Sequence, residues 1–214
     1  MYVKDIMTTN VVTIPSTTSL ADAKKIMEAH GVRRIPVVDR GELVGIINDH
    51  MINMASPRKG TTLSVWEFSY QLNAIKVSEV MGKNVVTVSP YMTAEEALAM
   101  AQEKKVGSLV VLDKQKHLVG IATTNDFFYK IVNPLLGLGE PGSRIEIKGG
   151  GGSKALEEII SMINRLKLKM TNLHIVVLPG TRKKDVVVHL GSEDVTQFLE
   201  ELKAKNYKVN LRQR

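Results

Sequence analysis

A hydroxyl and a carboxylate lie together at the start of one predicted helix. Residues 123 to 126 spell Thr-Thr-Asn-Asp, so Thr123 and Asp126 are three positions apart. A carboxylate can accept hydrogen bonds from both hydroxyls of a ribose, and a threonine hydroxyl can add a contact to the sugar or to a phosphate. The same spacing also suits an ordinary helix N-cap, so the pattern by itself leaves both roles open.

A pair of cations precedes a predicted apolar strand. Arg33 and Arg34 stand directly before Ile35-Pro-Val-Val38. Guanidinium groups are well suited to phosphate oxygens. They can equally cover the edge of a sheet and pair with surface carboxylates. Both interpretations of the two arginines stay open.

Catalytic constellations are not found in the sequence. The chain has no cysteine, which excludes thiol nucleophiles and cysteine-ligated metal sites. None of the five histidines forms a tight metal-ligand spacing, and Gly107-Ser108-Leu109 lacks the Gly-x-Ser-x-Gly pattern. We therefore expect a protein that is not an enzyme and needs no metal or resident cofactor.

Composition predicts a folded protein with no membrane span. Of the 214 residues 43% are hydrophobic, and no run approaches 18 uninterrupted apolar residues. With no signal peptide evident, we expect a cytoplasmic protein. The net charge is +7, divided as +2 over residues 1–135 and +5 over 136–214. Because acidic and basic residues interleave, a solvated surface is the simplest explanation, with attraction to nucleic acid or to a phosphorylated ligand as the alternative.

A duplication occupies the first two thirds of the chain. Residues 3–39 align with 77–113 at a constant shift of 74, with ten of the 37 pairs identical. Both copies carry a capping pattern before a helix, Ser19 to Asp22 in the first and Thr93 to Glu96 in the second. Each copy predicts a short strand, a helix, a two-stranded hairpin and a second helix. Since one copy is too small for a core of its own, we expect the two to pair about a pseudo-twofold axis.

The recurring motifs resemble those of the CBS domain, and the pair resembles a Bateman module. They are an opening turn that ends in methionine, a Val-Val-Thr strand, a Pro-Val-Val-Asp strand and a Gly-Ile strand followed by a polar loop. The resemblance implies one repeat over 1–56, an inter-repeat helix over 57–76 and a second repeat over 77–133. That helix resembles the inter-repeat helix of the acetoin-utilisation regulator group. We interpret Trp66, which lies within it, as a packing anchor.

The resemblance implies an adenosyl ligand. In CBS domains Thr/Ser-x-x-Asp is the nucleoside-binding signature, which the second copy keeps and the first replaces with Asn48 to Met51. We therefore expect one competent ribose site, with cations from the first copy and an adenine ring held by Val85–Thr87. The predicted ligand-binding residues are Arg33, Arg34, Val85, Val86, Thr87, Ser108, Thr123, Asn125 and Asp126. The implied ligand is AMP, ADP, ATP or S-adenosylmethionine.

The last third predicts a separate domain after a linker over 134–142. The pattern over 143–214 is strand, helix, strand, strand, helix, strand, the order of a ferredoxin-like sandwich. With the preceding CBS pair it resembles the ACT domain, as in the acetoin-utilisation regulator group. The expected fold is thus mixed α/β and α+β. Gly151-Gly-Ser-Lys154 departs from the Asp-x-Pro-Gly turn of amino-acid-binding ACT domains.

The resemblance implies a non-catalytic, ligand-sensing regulatory protein. We expect a homodimer or larger assembly in which an adenosyl ligand alters how the ACT-like domains associate. An effector protein is a further partner to consider. Two alternatives remain. One is a nucleic-acid-binding regulator that uses the basic C-terminal domain, although no helix-turn-helix signature supports it. The other is an amino-acid-responsive oligomer.

Overall fold

A computed structural model describes residues 1–55, 72–177, 180 and 182–213. The chain divides into two compact units, Met1–Phe128 and Tyr129–Arg214. The predicted inter-repeat helix lies largely outside the described residues, and so does Trp66. Within the described residues no helix is both long and apolar enough to cross a membrane.

The first repeat is built around a two-stranded antiparallel hairpin. Its elements are α1 (Val3–Ile6), α2 (Leu20–His30), β1 (Arg34–Asp39), β2 (Glu42–Asn48) and α3 (Asp49–Ala55). The Ser19 hydroxyl accepts a hydrogen bond from Asp22 N at 3.1 Å and so caps α2. Gly31, at φ 63°, ends α2 because glycine enters the left-handed region without steric cost.

The second repeat follows the same plan with a three-stranded sheet. Its elements are α4 (Val77–Val80), β3 (Thr87–Val88), α5 (Ala94–Glu103), β4 (Ser108–Leu112), β5 (Leu118–Thr123) and α6 (Thr124–Phe127). The predicted capping box at Thr93 and Glu96 is present. The two Val-Val-Thr runs are less regular than predicted. Thr87 and Val88 form a short strand parallel to β4, whereas in the first repeat Ile14 alone bridges to Val37.

Each repeat contributes its opening segment to the sheet of the other. Thr8 bridges to Ile121 of β5, and Ile46 of β2 bridges to Gly82. A Cβ on Gly45 would fall 2.5 Å from Met81 Sδ, and Met7 approaches Gly120 in the same way. Reciprocal contacts of this kind are what a pseudo-twofold relation between two small repeats requires.

Apolar side chains of the first repeat and of the start of the second form one core. Its fully buried members include Leu20 and Ala23 of α2, Ile35 of β1 and Ile47 of β2. Val77 of α4 joins the same cluster. The first repeat therefore does not complete its core without the opening segment of the second.

The second unit is an antiparallel four-stranded sheet with helices packed on it. A π-helical turn (Phe128–Val132) and α7 (Asn133–Leu135) precede β6 (Ser143–Lys148), α8 (Ser153–Arg165), β7 (Met170–Val177), β8 (Lys184–Leu190), α9 (Thr196–Ala204) and β9 (Lys208–Gln213). The strand order β7-β8-β6-β9 is that of a ferredoxin-like sandwich, as predicted. The helix α8 begins at Ser153. Its buried residues, Ile159, Met162 and Ile163, pack in the core with Phe198 of α9.

Candidate adenosyl site

The turn from β5 into α6 is a closed ring of hydrogen bonds. Asp126 Oδ2 accepts from Thr123 N at 2.8 Å and from Thr123 Oγ1 at 2.6 Å. Asp126 N donates in return to Thr123 Oγ1 at 3.4 Å. The sequence left open an N-cap and a ligand-binding role, and the N-cap is present. The cap holds a half-buried carboxylate in a fixed orientation at the end of a strand.

Ser108 lies beside this turn on the neighbouring strand. It is the register partner of Thr123, at the start of β4. The preceding residue, Gly107, accepts a hydrogen bond from Thr124 N through its carbonyl oxygen at 3.3 Å. Asn125 is exposed on the first turn of α6. The structure thus gathers Ser108, Thr123 and Asp126 at one end of the β4–β5 hairpin.

Arg34 reaches this region from the first repeat. A Cβ on Gly107 would fall 2.6 Å from Arg34 Nη2, so the guanidinium group lies directly against the glycine. The sequence showed glycine and serine where the first copy has arginines, but it did not show that an arginine of one copy fills the space left in the other. Gly107 is therefore a site residue that the sequence interpretation missed.

Arg33 lies elsewhere. Its carbonyl oxygen accepts from Asp49 N at 3.1 Å. Its exposed side chain lines a separate groove with Lys24 and Glu28 of α2. The structure therefore brings one of the two predicted arginines to the β4–β5 end and directs the other to a different surface.

The Val85–Thr87 run is divided between two surfaces. Val86 O accepts from Val110 N at 3.1 Å, which attaches the run to β4. Val85 and Thr87 line a cavity beside the hairpin turns of both repeats, away from Thr123. Because successive side chains of an extended chain point to opposite sides, Val86 faces away from that cavity.

The corresponding turn of the first repeat has no equivalent carboxylate. Asn48 Oδ1 accepts from Met51 N at 2.8 Å, so the helix is capped as in the second repeat. Met51 Cε would lie 3.2 Å from a Cβ on Gly82, so the thioether packs against the opening segment of the second repeat. Thioether sulfur is a weak acceptor and cannot replace a carboxylate toward a sugar diol.

The glycine run before α8 is closely packed. A Cβ on Gly150 would lie 2.9 Å from Ile159 Cδ1, and one on Gly151 would lie 2.5 Å from Lys184 Cβ. Gly149 N donates to the buried carboxylate of Asp185 at 2.8 Å. These contacts account for Gly150 and Gly151 through close packing within the second unit, and Gly149 takes a positive φ of 72°.

Comparison with models of known protein families identifies the same two repeats. A model of the CBS domain matches residues 3–56 and 77–133, which together make up more than half of the chain. The chain belongs to the CBS-domain family. The ranges match the two repeats seen in the sequence and structure. The ACT-like assignment of the last third stays a prediction that rests on its topology.

Individual relatives resemble the CBS pair. A CBS domain-containing protein of Dictyostelium discoideum is 33% identical over 136 residues, which is 63% of this chain and 94% of that protein. A putative acetoin utilization protein (AcuB) from Vibrio cholerae is 34% identical with a TM-score of 0.51, and the match covers 64% of this chain and 94% of the other. The CBS domain pair of protein MJ0100 is 26% identical with a TM-score of 0.52, covering 62% and 97%. That pair was solved in complex with 5′-methylthioadenosine and S-adenosyl-L-methionine.

Proposed function

We propose that the CBS pair binds one adenosyl ligand per chain and that the protein is a non-catalytic regulatory sensor. The observation that carries this proposal is the Thr123–Asp126 turn beside Ser108, with Arg34 of the other repeat against Gly107. We call the space bordered by these residues the adenosyl cleft, and we infer from the alternation of side chains along the Val85–Thr87 run that Val86 faces it. The adenosyl complexes of the similar MJ0100 pair support the choice of ligand class.

Each residue of the adenosyl cleft has a distinct chemical part in this proposal. Asp126 accepts hydrogen bonds from the ribose hydroxyls, and the Thr123 hydroxyl adds a contact beside it. Val86 forms an apolar wall for the adenine. Arg34 pairs with the phosphate of AMP, ADP or ATP, or with the carboxylate of S-adenosylmethionine. We assign no ligand contact to Arg33, Val85 or Thr87, because they line other cavities.

Calorimetric titration of the full chain tests this proposal. AMP, ATP, S-adenosylmethionine and 5′-methylthioadenosine are titrated separately, and at least one should bind with one site per chain. Asp126→Ala should weaken that ligand by about 1.5–3 kcal/mol, the range for hydrogen bonds to a charged group. Free adenine should be much less affected.

Asp49→Ala is the matched control. Asp49 is an exposed carboxylate at the start of α3, the corresponding helix of the first repeat. Its removal lowers the negative charge by the same amount and should leave affinity unchanged. Two equivalent sites per chain, or equal losses in both variants, would contradict the proposal.

The proposal extends to assembly. We infer a homodimer or larger oligomer, with the ACT-like units contributing to association and an effector protein as a further partner. Ligand binding between the repeats would favour one arrangement of the oligomer over another, with a coupling of about 1–3 kcal/mol. Light scattering and small-angle X-ray scattering, each with and without ligand, measure mass and shape. A monomer at micromolar concentration would refute the assembly, and an unchanged shape at saturation would remove the coupling.

A further inference from the structure

A second cavity lies between the hairpin turns of the two repeats, and we call it the hairpin cavity. Its volume is about 580 Å³, within the size range of small-molecule sites. The turn of the first repeat contributes Arg40–Leu43, and the turn of the second contributes Gln115–His117. Lys83, Val85, Thr87 and Leu112 complete its described lining, which includes neither Ser108 nor Thr123 nor Asp126.

Positive charge converges on the hairpin cavity from three separate segments. Arg40 comes from the first turn, Lys83 from the segment before β3 and Lys116 from the second turn. Among the described lining residues Glu42 is the one carboxylate, so the cavity carries a surplus of cations. His117 adds a ring that gains a further charge when protonated.

The nearby aspartates are engaged in forming the turns. Asp113 Oδ1 accepts from the backbone N–H groups of Gln115 and His117 at 2.9 and 2.8 Å, and Asp113 Oδ2 lies 3.3 Å from His117 Nδ1. Asp39 Oδ1 accepts from Ser16 N at 2.8 Å. Neither aspartate is part of the described lining. The Ser16 hydrogen bonds and the Arg40 charge lower the pKa of Asp39, so Asp39 offsets part of the Arg40 charge, while Lys83 and Lys116 remain as cations of the lining.

The wall between the cations is partly apolar. Leu43, Val85 and Leu112 are half-buried there, and Thr87 places a hydroxyl among them. Several point charges around an apolar surface suit a ligand with more than one phosphate better than a single small anion.

We propose that the hairpin cavity is a second ligand site, distinct from the adenosyl cleft, which binds a small molecule bearing a chain of two or three phosphates. Arg40, Lys83 and Lys116 pair with the phosphate oxygens. Because Arg40 belongs to the first repeat and the two lysines to the second, the bound anion joins both repeats. The same chemistry is present in free polyphosphate and in a nucleoside triphosphate, so both probes are needed.

Titration of the full chain with tripolyphosphate at about 0.15 M ionic strength, where the Debye length is about 8 Å, tests the site. We expect saturable binding that Lys83→Gln/Lys116→Gln weakens by about tenfold or more, given the strength of hydrogen bonds to charged groups. The matched control is Lys25→Gln/Lys104→Gln, which removes the same charge from exposed lysines paired with Asp22 and Glu103. Its affinity should stay within about twofold of the unmodified chain, since exposed charges outside the cavity are screened.

Arg34→Gln separates the two sites. It should leave tripolyphosphate affinity within about twofold, because Arg34 lies at the adenosyl cleft. Equal weakening in both double variants would show general charge attraction and overturn the proposal. So would an absence of saturable binding, or a tenfold loss with Arg34→Gln. A parallel titration with CTP distinguishes the two sources of the phosphate chain. Tighter binding of CTP than of tripolyphosphate would identify the ligand as a nucleotide, and equal binding would identify it as a polyphosphate. Both results support the site.

Discussion

The two CBS repeats differ at the ends of their strands and agree in their packing. Both cap a helix with a hydroxyl and a carboxylate three residues apart, at Ser19 and at Thr93. Both place a methionine against a glycine of the other repeat, Met7 against Gly120 and Met81 against Gly45. These shared positions hold the pair together, so a change at either one would damage the scaffold itself.

The differences that bear on ligand binding lie at the ends of the hairpins. Asp126 is the capping carboxylate in the second repeat, while Met51 packs on Gly82 in the first. Arg34 is the first residue of β1. Its counterpart Ser108 is the first residue of β4 and directly follows Gly107. The pair thus has an acceptor in one repeat and a cation in the other, and the contact at Gly107 brings the two together. We infer that divergence after duplication has left the adenosyl-binding groups in one cleft.

Restoring a carboxylate to the first repeat tests that comparison most directly. Met51→Asp places a carboxylate three residues after Asn48 and removes the thioether from Gly82. We expect a second binding event in calorimetry, because a charged acceptor for a sugar diol contributes about 1.5–3 kcal/mol. The new site should bind the ligand more weakly than the adenosyl cleft does. In the adenosyl cleft the other repeat supplies Arg34, whereas at the new site the corresponding residue of the other repeat is the uncharged Ser108. A folded variant that still binds one ligand per chain would show that Met51 is not what closes the first cleft.

The shared methionine–glycine contacts predict equal damage in both repeats. Gly45→Ala and Gly120→Ala each insert a methyl group against a methionine sulfur, with backbone oxygens also near. Overpacking of this kind costs about 1–3 kcal/mol. The free energy of unfolding from urea titration measures it, and the loss in the double variant Gly45→Ala/Met81→Ala should be smaller than the sum of the two single losses, because Met81→Ala removes the side chain that the new methyl group meets. A large loss in one repeat with none in the other would contradict the twofold relation.

Much of this scaffold was predictable from sequence because its determinants are local. The caps at Ser19 and Thr93 follow from residues three apart. The ferredoxin-like order followed from alternating strand and helix periodicity. The sequence predicted that cations of the first repeat share a site with Thr123 and Asp126, but it did not predict which arginine would do so or that it would lie against Gly107, since these residues come together only when the repeats pair. The sequence also contains no sign that the side chains of Arg33 and Arg34 lie at different surfaces.

The divergence of the two arginines gives a matched pair of variants. Arg34→Gln should weaken AMP by about tenfold, or ~1.4 kcal/mol, while leaving adenosine nearly unchanged, because the lost contact is to phosphate. Arg33→Gln removes the same charge from a neighbouring position that lines another groove, and its AMP affinity should not change. Equal effects of the two variants would mean that AMP responds to the overall charge of the first repeat rather than to a contact at Gly107.

The smallest expected effect concerns acid stability, where the two repeats should behave alike. The Ser19 hydroxyl lowers the pKa of Asp22, and the Thr93 hydroxyl lowers the pKa of Glu96. A carboxyl whose pKa is lower in the folded state stabilises the fold above its unfolded pKa, and that contribution is lost as pH falls through the folded value. Stability should therefore decline below about pH 4.5, the region of the unfolded pKa values.

Asp22→Asn and Glu96→Gln each remove one of these groups. Both carboxylates are exposed to solvent, so the change in each case should be small. Urea titrations between about pH 3 and pH 6, spanning the ordinary carboxyl range, should show a shallower decline in both variants and the shallowest in the double variant. If one variant flattened the acid limb and the other left it unchanged, the two caps would not be equivalent, and the agreement between the repeats would extend to packing but not to electrostatics.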